Sequence, residues 1–459
     1  MRLSSANAAR LSAAVSRFDY DRDAQRVGIV HFGIGAFHRA HQAWYTDRAM
    51  DAGDRDWSIL GVSLRSAGVA EQLNPQDGLY TVTERSGAGA ATRLVGAVRE
   101  VLVAPSSRAS LAASLIAPST RIVSFTVTEK GYCRAPDGSL DIALADAGSF
   151  YPILADAMRE RRASGIGGLT LMSCDNLSEN GRQLQRLMAE YLAAREPGLL
   201  DWFEAECSCP STMVDRIVPA TTGEDRDTLA DTIGLVDEAA VFTEPFSQWV
   251  IEDSFAAGRP GWEAVGAQLV ADVAPYETAK LRMLNGAHSA LAYIGLERGH
   301  EFVHQAVADP AIRPVVEQLM RGEAAPTIAA GPGQDLGAYA GSLLERFANP
   351  ALNHRLEQIA MDGSQKIPQR WLETLAARSS AGQASPSVMI ALAAWLRHVR
   401  GDARRVDDPL APKLAEAWRQ HGAEGIVGCL FAPGGIMAGK WQPSEGDKSV
   451  LTASLTGMR

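Results

Sequence analysis

Residues 26–50 read RVGIVHFGIGAFHRAHQAWYTDRAM, and their order constrains the fold more than any other stretch. Val27 to Phe32 is an apolar strand with His31 its one polar side chain, Gly33-Ile34-Gly35 is a turn, and Arg39 to Met50 has the periodicity of a helix. A strand without polar alternation is buried on both faces, so helices must cover both sides of its sheet. Three further strands fit the same scheme: WSILGVSL (57–64), RIVSFTVTEKGY (121–132) and GGLTLMSCDN (167–176), the last running into a helix that begins near SENGRQLQRLMAEYLAA. Strands alternating with helices predict an α/β, doubly wound parallel sheet of Rossmann-like form.

From about residue 272 the pattern changes. Helix-period stretches dominate at 276–294, 301–321, 336–347, 351–361, 386–400 and 411–421, and strand signals are few. A chain of 459 residues exceeds one ordinary core. The expectation is therefore a dinucleotide-binding domain over 1–275 and a mainly helical substrate domain over 276–459, with the active site in the cleft between them. The loops 325–335 and 431–449 read as the longest irregular pieces.

Composition excludes several classes. The net charge of −10 carries no basic stripe to displace counterions from nucleic acid. No apolar run reaches the ~18–20 residues of a membrane span, and the N-terminus lacks the apolar core of a secretory signal. Five sparse cysteines fit a reducing cytoplasm better than a disulfide framework, and C-S-C-P at 207–210 lacks the spacing of a zinc site. A cytoplasmic enzyme with no metal, no membrane and no nucleic-acid partner is expected.

A glycine turn between the first strand and helix lets backbone N–H groups approach a pyrophosphate. Here the pattern is G-I-G-A-F-H, with His38 where a third glycine would stand. Gly33, Ile34, Gly35, Ala36 and Phe37 form the candidate cofactor turn. After the second strand stand Ser63, Leu64 and Arg65, with no carboxylate before Glu71 to meet the ribose hydroxyls. NAD is the expected cofactor, and Arg65 leaves NADP open because a guanidinium suits a 2′-phosphate.

The second informative stretch is YETAKLRMLNGAHSALAYIG, 276–295. With Lys280 at zero and about 100° per residue, Leu284 falls near 40°, Glu277 near 60°, His288 near 80° and Asn285 near 140°. Polar groups are interleaved with leucines, and burying them unpaired costs roughly 1–3 kcal/mol each. A lysine among leucines has its charged form disfavoured, which moves it toward proton transfer at neutral pH. Asn285 offers N–H donors to an oxyanion, and His288 can hold a hydroxyl. An isolated member would read as a snorkelling lysine or a core histidine; the cluster carries the signal. Asn176, at the end of a strand in SCDN, lies where open α/β sheets bind ligands, although a helix cap or Asx turn would use Asn176 or Asp175 equally well. Glu129 and Lys130 also follow a strand.

Taken together, GIGAFHRAHQ, TVTEKGY, SCDNLSENG, MVDRIVPATT, EPFSQWVIED, KLRMLNGAHS and DGSQKIPQ resemble the mannitol dehydrogenase family, long-chain, metal-independent polyol and uronate oxidoreductases. The resemblance spans about 27–370. It implies that Lys280 is the general base for alcohol oxidation and general acid for ketone reduction. It also implies that Asn176 and Asn285 stabilise the alkoxide, that His288 positions substrate and lysine, and that Glu129 lines a proton path. Asp215, Glu277 and Lys366 match acidic and basic residues on the substrate side. Within the family, TEKGYC, CPSTMVDRIVPAT and QIAMDGSQKIPQR look most like members acting on D-fructuronate and D-mannonate. Lys130 and Gln358 stand where D-mannitol-oxidising members tend to have glycine and arginine. D-mannitol/D-fructose is the alternative substrate pair, and a monomer or homodimer is expected.

Two rival readings use the same residues. Lys280 as a Schiff-base nucleophile predicts a borohydride-trapped adduct with a keto substrate. A non-catalytic dinucleotide sensor keeps the glycine turn but has no use for the lysine cluster.

Overall fold

The computed structural model describes residues 1–457. The chain divides into two compact units, Met1–Val273 and Ala274–Arg459. Eleven strands form in the first: β1 Val27–Phe32, β2 Ser58–Ser63, β3 Tyr80–Ser86, β4 Gly89–Val95, β5 Val98–Val103, β6 Ile122–Phe125, β7 Thr170–Ser173, β8 Thr212–Asp215, β9 Val241–Thr243, β10 Gln248–Glu252 and β11 Gln268–Val270.

Five of these build a parallel sheet in the order β5-β2-β1-β6-β7. The order steps outward in both directions from β1, which is the doubly wound Rossmann-type topology with its crevice beyond the carboxyl end of β1. All residues of β6 and β7 are buried, as a sheet covered on both faces requires. Two smaller sheets, β11-β10-β8 and β4-β3-β9, mix parallel and antiparallel pairs. The sequence reading missed them: β8, β9 and β11 have only three or four residues each, too few to show a period, and the seven-residue β3 and β4 each carry a run of half-buried or exposed residues in place of a continuous apolar face.

Several boundaries differ from expectation. The strand expected over 121–132 ends at Phe125, and a short helix, Thr128–Gly131, follows. The helix expected from Arg39 begins at Ala36, breaks at His41 (φ −123°, ψ −95°) and resumes over Gln42–Asp51. Burial explains the break: His38, Arg39, Ala40, His41 and Gln42 are all enclosed, more than one helical face can bury, so the chain turns to share them.

The second unit is helical, and no strand is found in its described residues. Its core joins Met283, Leu284 and Leu291 of the lysine stretch to Leu343, Trp371, Leu392, Trp395 and Phe431. The expected helices at 336–347 and 386–400 are found as Leu336–Phe347 and Pro386–Val399. That at 411–421 continues to Phe431 across a break at Gly422 (φ 57°), and the loop 431–449 gives way to a helix from Glu445. Among the described residues three segments are π-helical: Lys280–Asn285, Leu319–Ala324 and Pro368–Leu372. The first packs against both of the others. Among the described residues no helix is long and apolar enough to cross a membrane.

Candidate active site

The glycine turn follows β1 directly. Gly33 has φ +92°, and a Cβ there would lie 2.1 Å from the carbonyl oxygen of Thr126, so only glycine fits. Its N–H donates to Val62 O (2.9 Å) and its carbonyl accepts from Thr126 Oγ1 (2.6 Å), which ties the turn to β2 and β6 at once. Gly35 is exposed, with nothing nearer than 3.9 Å to a Cβ, and precedes the helix Ala36–Ala40. Ile34 is buried against Gly61 of β2, where a Cβ would stand 2.4 Å from Ile34 Cδ1. Ala36 and Phe37 are half-buried. The turn thus presents an open backbone on a braced base, a cradle that fits a pyrophosphate. Ser63 and Leu64 are half-buried at the carboxyl end of β2, and Arg65 beyond them is exposed.

Behind the turn lies a pair of histidines that no sequence signal announced. His31 and His38 stack at 3.4 Å between ring centroids. His31 is engaged by Ser124 Oγ (2.8 Å) and Thr126 Oγ1 (2.9 Å), whereas the ring nitrogens of His38 make no well-formed hydrogen bond among the described residues. Burial drives both rings well below the ordinary histidine range, His31 to about 3, so the stack is neutral.

The loops after β6 and β7 are joined by Asp175. Its carboxylate accepts from the N–H groups of Val127 (2.9 Å) and Thr128 (3.0 Å) and from Tyr132 Oη (2.9 Å). Thr128 is held at φ +64°, a left-handed conformation that a non-glycine residue adopts only when its surroundings impose it. Asp175 therefore aims the short helix carrying Glu129 and Lys130, both exposed. Burial pushes the Asp175 carboxyl up, and the three donors oppose that shift. Asn176 follows, exposed at the carboxyl end of β7, and Asn180 fastens the loop by donating to Asp175 O and Thr212 O. Asp215, buried, ends β8. The structure thus brings Glu129, Lys130 and Asn176 together on adjoining loops.

In the second unit the lysine stretch departs from a regular helix. Ala274–Ala279 and Gly286–Glu297 are α-helical, but Lys280–Asn285 between them is a π turn. A π turn inserts one residue, so every later residue is rotated back by about 100° relative to an uninterrupted helix. Asn285 then moves from about 140° to about 40°, and His288 from about 80° to about −20°. The extra residue draws the amide and the imidazole onto the lysine's own face and carries Leu284 away from it. Lys280 and Asn285 are half-buried, Leu284 and His288 buried. Glu277, half-buried, lies one turn before Lys280.

His288 is the most constrained of these groups. Its ring packs against Phe347 (4.7 Å) and edge-on against His354 (5.3 Å), and its Nε2 has no hydrogen-bond partner among the described residues. Burial, followed by His354, Arg346 and Arg370, holds it well below the ordinary histidine range. A neutral imidazole with an open nitrogen is suited to a substrate hydroxyl.

The helix Gly363–Ile367 and the π turn Pro368–Leu372 support this face. Arg370 Nη1 donates to Ser289 Oγ (2.7 Å) and Asn285 O (3.4 Å), and Trp371 Nε1 donates to Gly286 O (3.0 Å). Gly286 permits the approach: a Cβ there would stand 3.3 Å from Arg370 O. Lys366 is half-buried, donates to Met361 O (2.6 Å), and is lowered by burial and then by Arg370. Sequence reading named Lys366, named Asp175 only as a possible helix cap or Asx turn, and missed Arg370 and Trp371. For the last two a signal existed, because polar positions that fail to share a face at 100° per residue mark a helix that needs an insertion. Among the described residues no group of three His, Cys, Asp or Glu could hold a metal ion.

Comparison with known proteins matches both units. Residues 27–264 match the mannitol dehydrogenase Rossmann domain and residues 272–430 the mannitol dehydrogenase C-terminal domain. The chain is similar to the D-mannonate oxidoreductase of Escherichia coli (strain K12), 41% identical over 92% of this chain and 91% of that one. It is also similar to the mannitol 2-dehydrogenase of Pyrenophora tritici-repentis, 38% identical over 94% and 79%. Among solved structures, the Pseudomonas fluorescens mannitol 2-dehydrogenase ternary complex with NAD and D-mannitol matches with a TM-score of 0.83 and 35% identity, covering 99% of this chain and 96% of that one.

Proposed function

The chain belongs to the mannitol dehydrogenase family of oxidoreductases, and from that premise we propose that it transfers a hydride between NAD(H) and an open-chain sugar acid, the pair D-fructuronate/D-mannonate. The observation that carries this reading is the π turn Lys280–Asn285, which puts a lysine, a carboxamide and, past the turn, a neutral imidazole on one helix face. A hydroxyl that is becoming a carbonyl is served by such a set: a base for its proton, an amide donor for its oxygen and a group that holds a neighbouring hydroxyl.

NAD suits the first unit, where Gly33 and Gly35 offer the pyrophosphate an uncluttered backbone and Ser63, Leu64 and Arg65 stand at the ribose position after β2. When bound, the nicotinamide supplies the hydride acceptor or donor. In the oxidative direction Lys280 Nζ takes the hydroxyl proton and returns it in the reductive direction. The Asn285 amide N–H donates to the oxygen as it gains alkoxide character, and His288 Nε2 holds a neighbouring hydroxyl. Asn176 is assigned the second amide donor, Glu129 the proton path from Lys280 to solvent, and Asp215, Glu277, Lys366 and Lys130 substrate contacts. Dinucleotide binding belongs to 1–275 and substrate chemistry to 276–459.

Choice of the sugar acid rests on the similarity to D-mannonate oxidoreductase and on Lys130. D-mannitol/D-fructose is the second reading, favoured by the similarity to mannitol 2-dehydrogenases. Absorbance of the reduced nicotinamide, followed with D-fructuronate and D-fructose against NADH and NADPH, separates these. Faster turnover of D-fructuronate with NADH is expected. A strong preference for D-fructose would replace the substrate, and no turnover with any sugar would overturn the dehydrogenase reading.

A further inference from the structure

Arg93, Arg216 and Arg161 show two ways in which an arginine set into this protein is answered. Arg93 is paired with Asp47 and Asp51, and Arg216 with Glu84. Arg161 has no carboxylate but donates to the carbonyls of Gly167, Leu115, Ala117 and Thr120. Arg370 has neither. Among the described residues no carboxylate pairs with it, and only Nη1 is engaged, by Ser289 Oγ at 2.7 Å and Asn285 O at 3.4 Å. Nη2 and Nε have no hydrogen-bond partner among the described residues.

Removing a cation from water without an anion is unfavourable, and the penalty is accepted where a ligand brings the missing charge. The position of Arg370 says which ligand. It is held against the helix between Asn285 and Ser289, the turn that also carries His288, and four residues after Lys366. Its charge is felt at both His288 and Lys366. Burial lowers the guanidinium to about 10, so it remains a cation at neutral pH.

We propose that the open edge of Arg370, formed by Nη2 and Nε, receives the carboxylate of the substrate, so that this side chain selects sugar acids over uncharged ketoses. The planar donor edge matches a carboxylate in two parallel N–H···O bonds. Seated there, the substrate chain extends along the helix face toward His288, Asn285 and Lys280, and its hydroxyls meet groups that recognise hydroxyls. This inference rests on the sugar-acid reading of the site and names the residue that enforces it.

The test compares wild type with Arg370→Gln and Arg370→Lys, measuring KM and kcat separately for D-fructuronate and D-fructose with NADH. Arg370→Gln, which also loses the Nη1 bonds to Ser289 and Asn285, should lower activity on both substrates, and should raise the KM for D-fructuronate about 10- to 100-fold more than that for D-fructose, the usual worth of a charge-assisted contact. Arg370→Lys should recover part of the loss, since a point charge replaces the fork. Equal losses on both substrates would show that Arg370 only braces the π turn, and an unchanged D-fructuronate KM would remove it from recognition; either overturns the proposal. Should the variants not fold, wild type decides: D-mannonate must bind the enzyme–NADH complex about tenfold or more tighter than D-mannitol, and equal binding overturns the assignment. A wild type that reduces D-fructose but not D-fructuronate overturns the carboxylate site and leaves the dehydrogenase standing. A wild type that binds NADH and reduces neither removes the function itself.

Discussion

The indole Nε1 of Trp371 donates to the carbonyl of Gly286 across 3.0 Å, joining residues 85 positions apart at the ends of two π turns. A π turn survives only where the surrounding structure compensates its disturbed backbone bonding, and here the compensation comes from side chains of the second π turn. Trp371→Phe keeps the ring and loses the donor. Loss of about 0.5–1.5 kcal/mol of stability is expected by denaturant unfolding. A fall in kcat larger than that stability loss explains would show that the bond also sets the position of Lys280.

Lys280→Ala removes the proposed proton acceptor. Turnover should fall by roughly 10²–10⁴, the usual contribution of a positioned acid–base group. NADH affinity, read from the fluorescence of the bound reduced nicotinamide, should stay within about threefold of wild type, since the proposed cofactor residues are in the other unit. Near-normal turnover from a folded variant would take Lys280 out of the mechanism.

Gly33→Ala tests the cofactor turn. A Cβ at φ +92° is strained by roughly 1–2 kcal/mol and would meet Thr126 O at 2.1 Å. The turn must open, so the variant should lose NADH binding at least tenfold and melt at a lower temperature. Unaltered NADH titration in a stable variant would place the dinucleotide elsewhere.

Asp175→Asn leaves one carbonyl oxygen where the carboxylate serves Val127, Thr128 and Tyr132. One backbone N–H loses its acceptor, at a cost of about 1–3 kcal/mol. Relaxation of Thr128 from φ +64° would misplace Glu129 and Lys130, so kcat should drop while NADH binding holds. Unchanged stability and kcat would mean that the loop is held by other contacts.

Stability should fall with acidification because His31, His38, His288 and His398 are all depressed, His31 to about 3 and His398 to about 4. Below the unfolded value of 6.5 the unfolded chain binds protons that the native chain refuses, so it is favoured as pH drops. Each histidine contributes up to about 1.4 kcal/mol per pH unit between its native pKa and 6.5. Melting temperatures at pH 8, 6.5 and 5 should decline in that order, with little change between the first two. His38→Leu, which removes one of these depressed imidazoles, should flatten the decline. An equal slope in that variant would assign the acid sensitivity to other groups.

The fold was largely legible from the sequence because its signals are local. The run Val27–Phe32, the turn Gly33–Gly35 and the strands near 58, 122 and 170 announce covered parallel strands through consecutive residues, and β1, β2, β6 and β7 form there. The antiparallel pair β3–β4 and the three-residue strands β9 and β11 were not legible, since their stability comes from partners distant in the chain. At the candidate site the residue types were readable: a lysine, an asparagine and a histidine on an apolar helix. Their mutual direction was not, for a regular helix spreads them over about 140°.

The sequence by itself determined that a glycine turn follows the first strand, because a left-handed φ pressed against Thr126 O admits only glycine. It also determined that polar groups would be enclosed among leucines between residues 277 and 288. Only the tertiary structure decided that Lys280, Asn285 and His288 share one face. That choice belongs to the inserted residue of a π turn, whose end carbonyls at Asn285 and Gly286 are bonded by Arg370 and Trp371 from 85 residues away. No local preference selects such a turn; it exists because distant donors meet the carbonyls it presents.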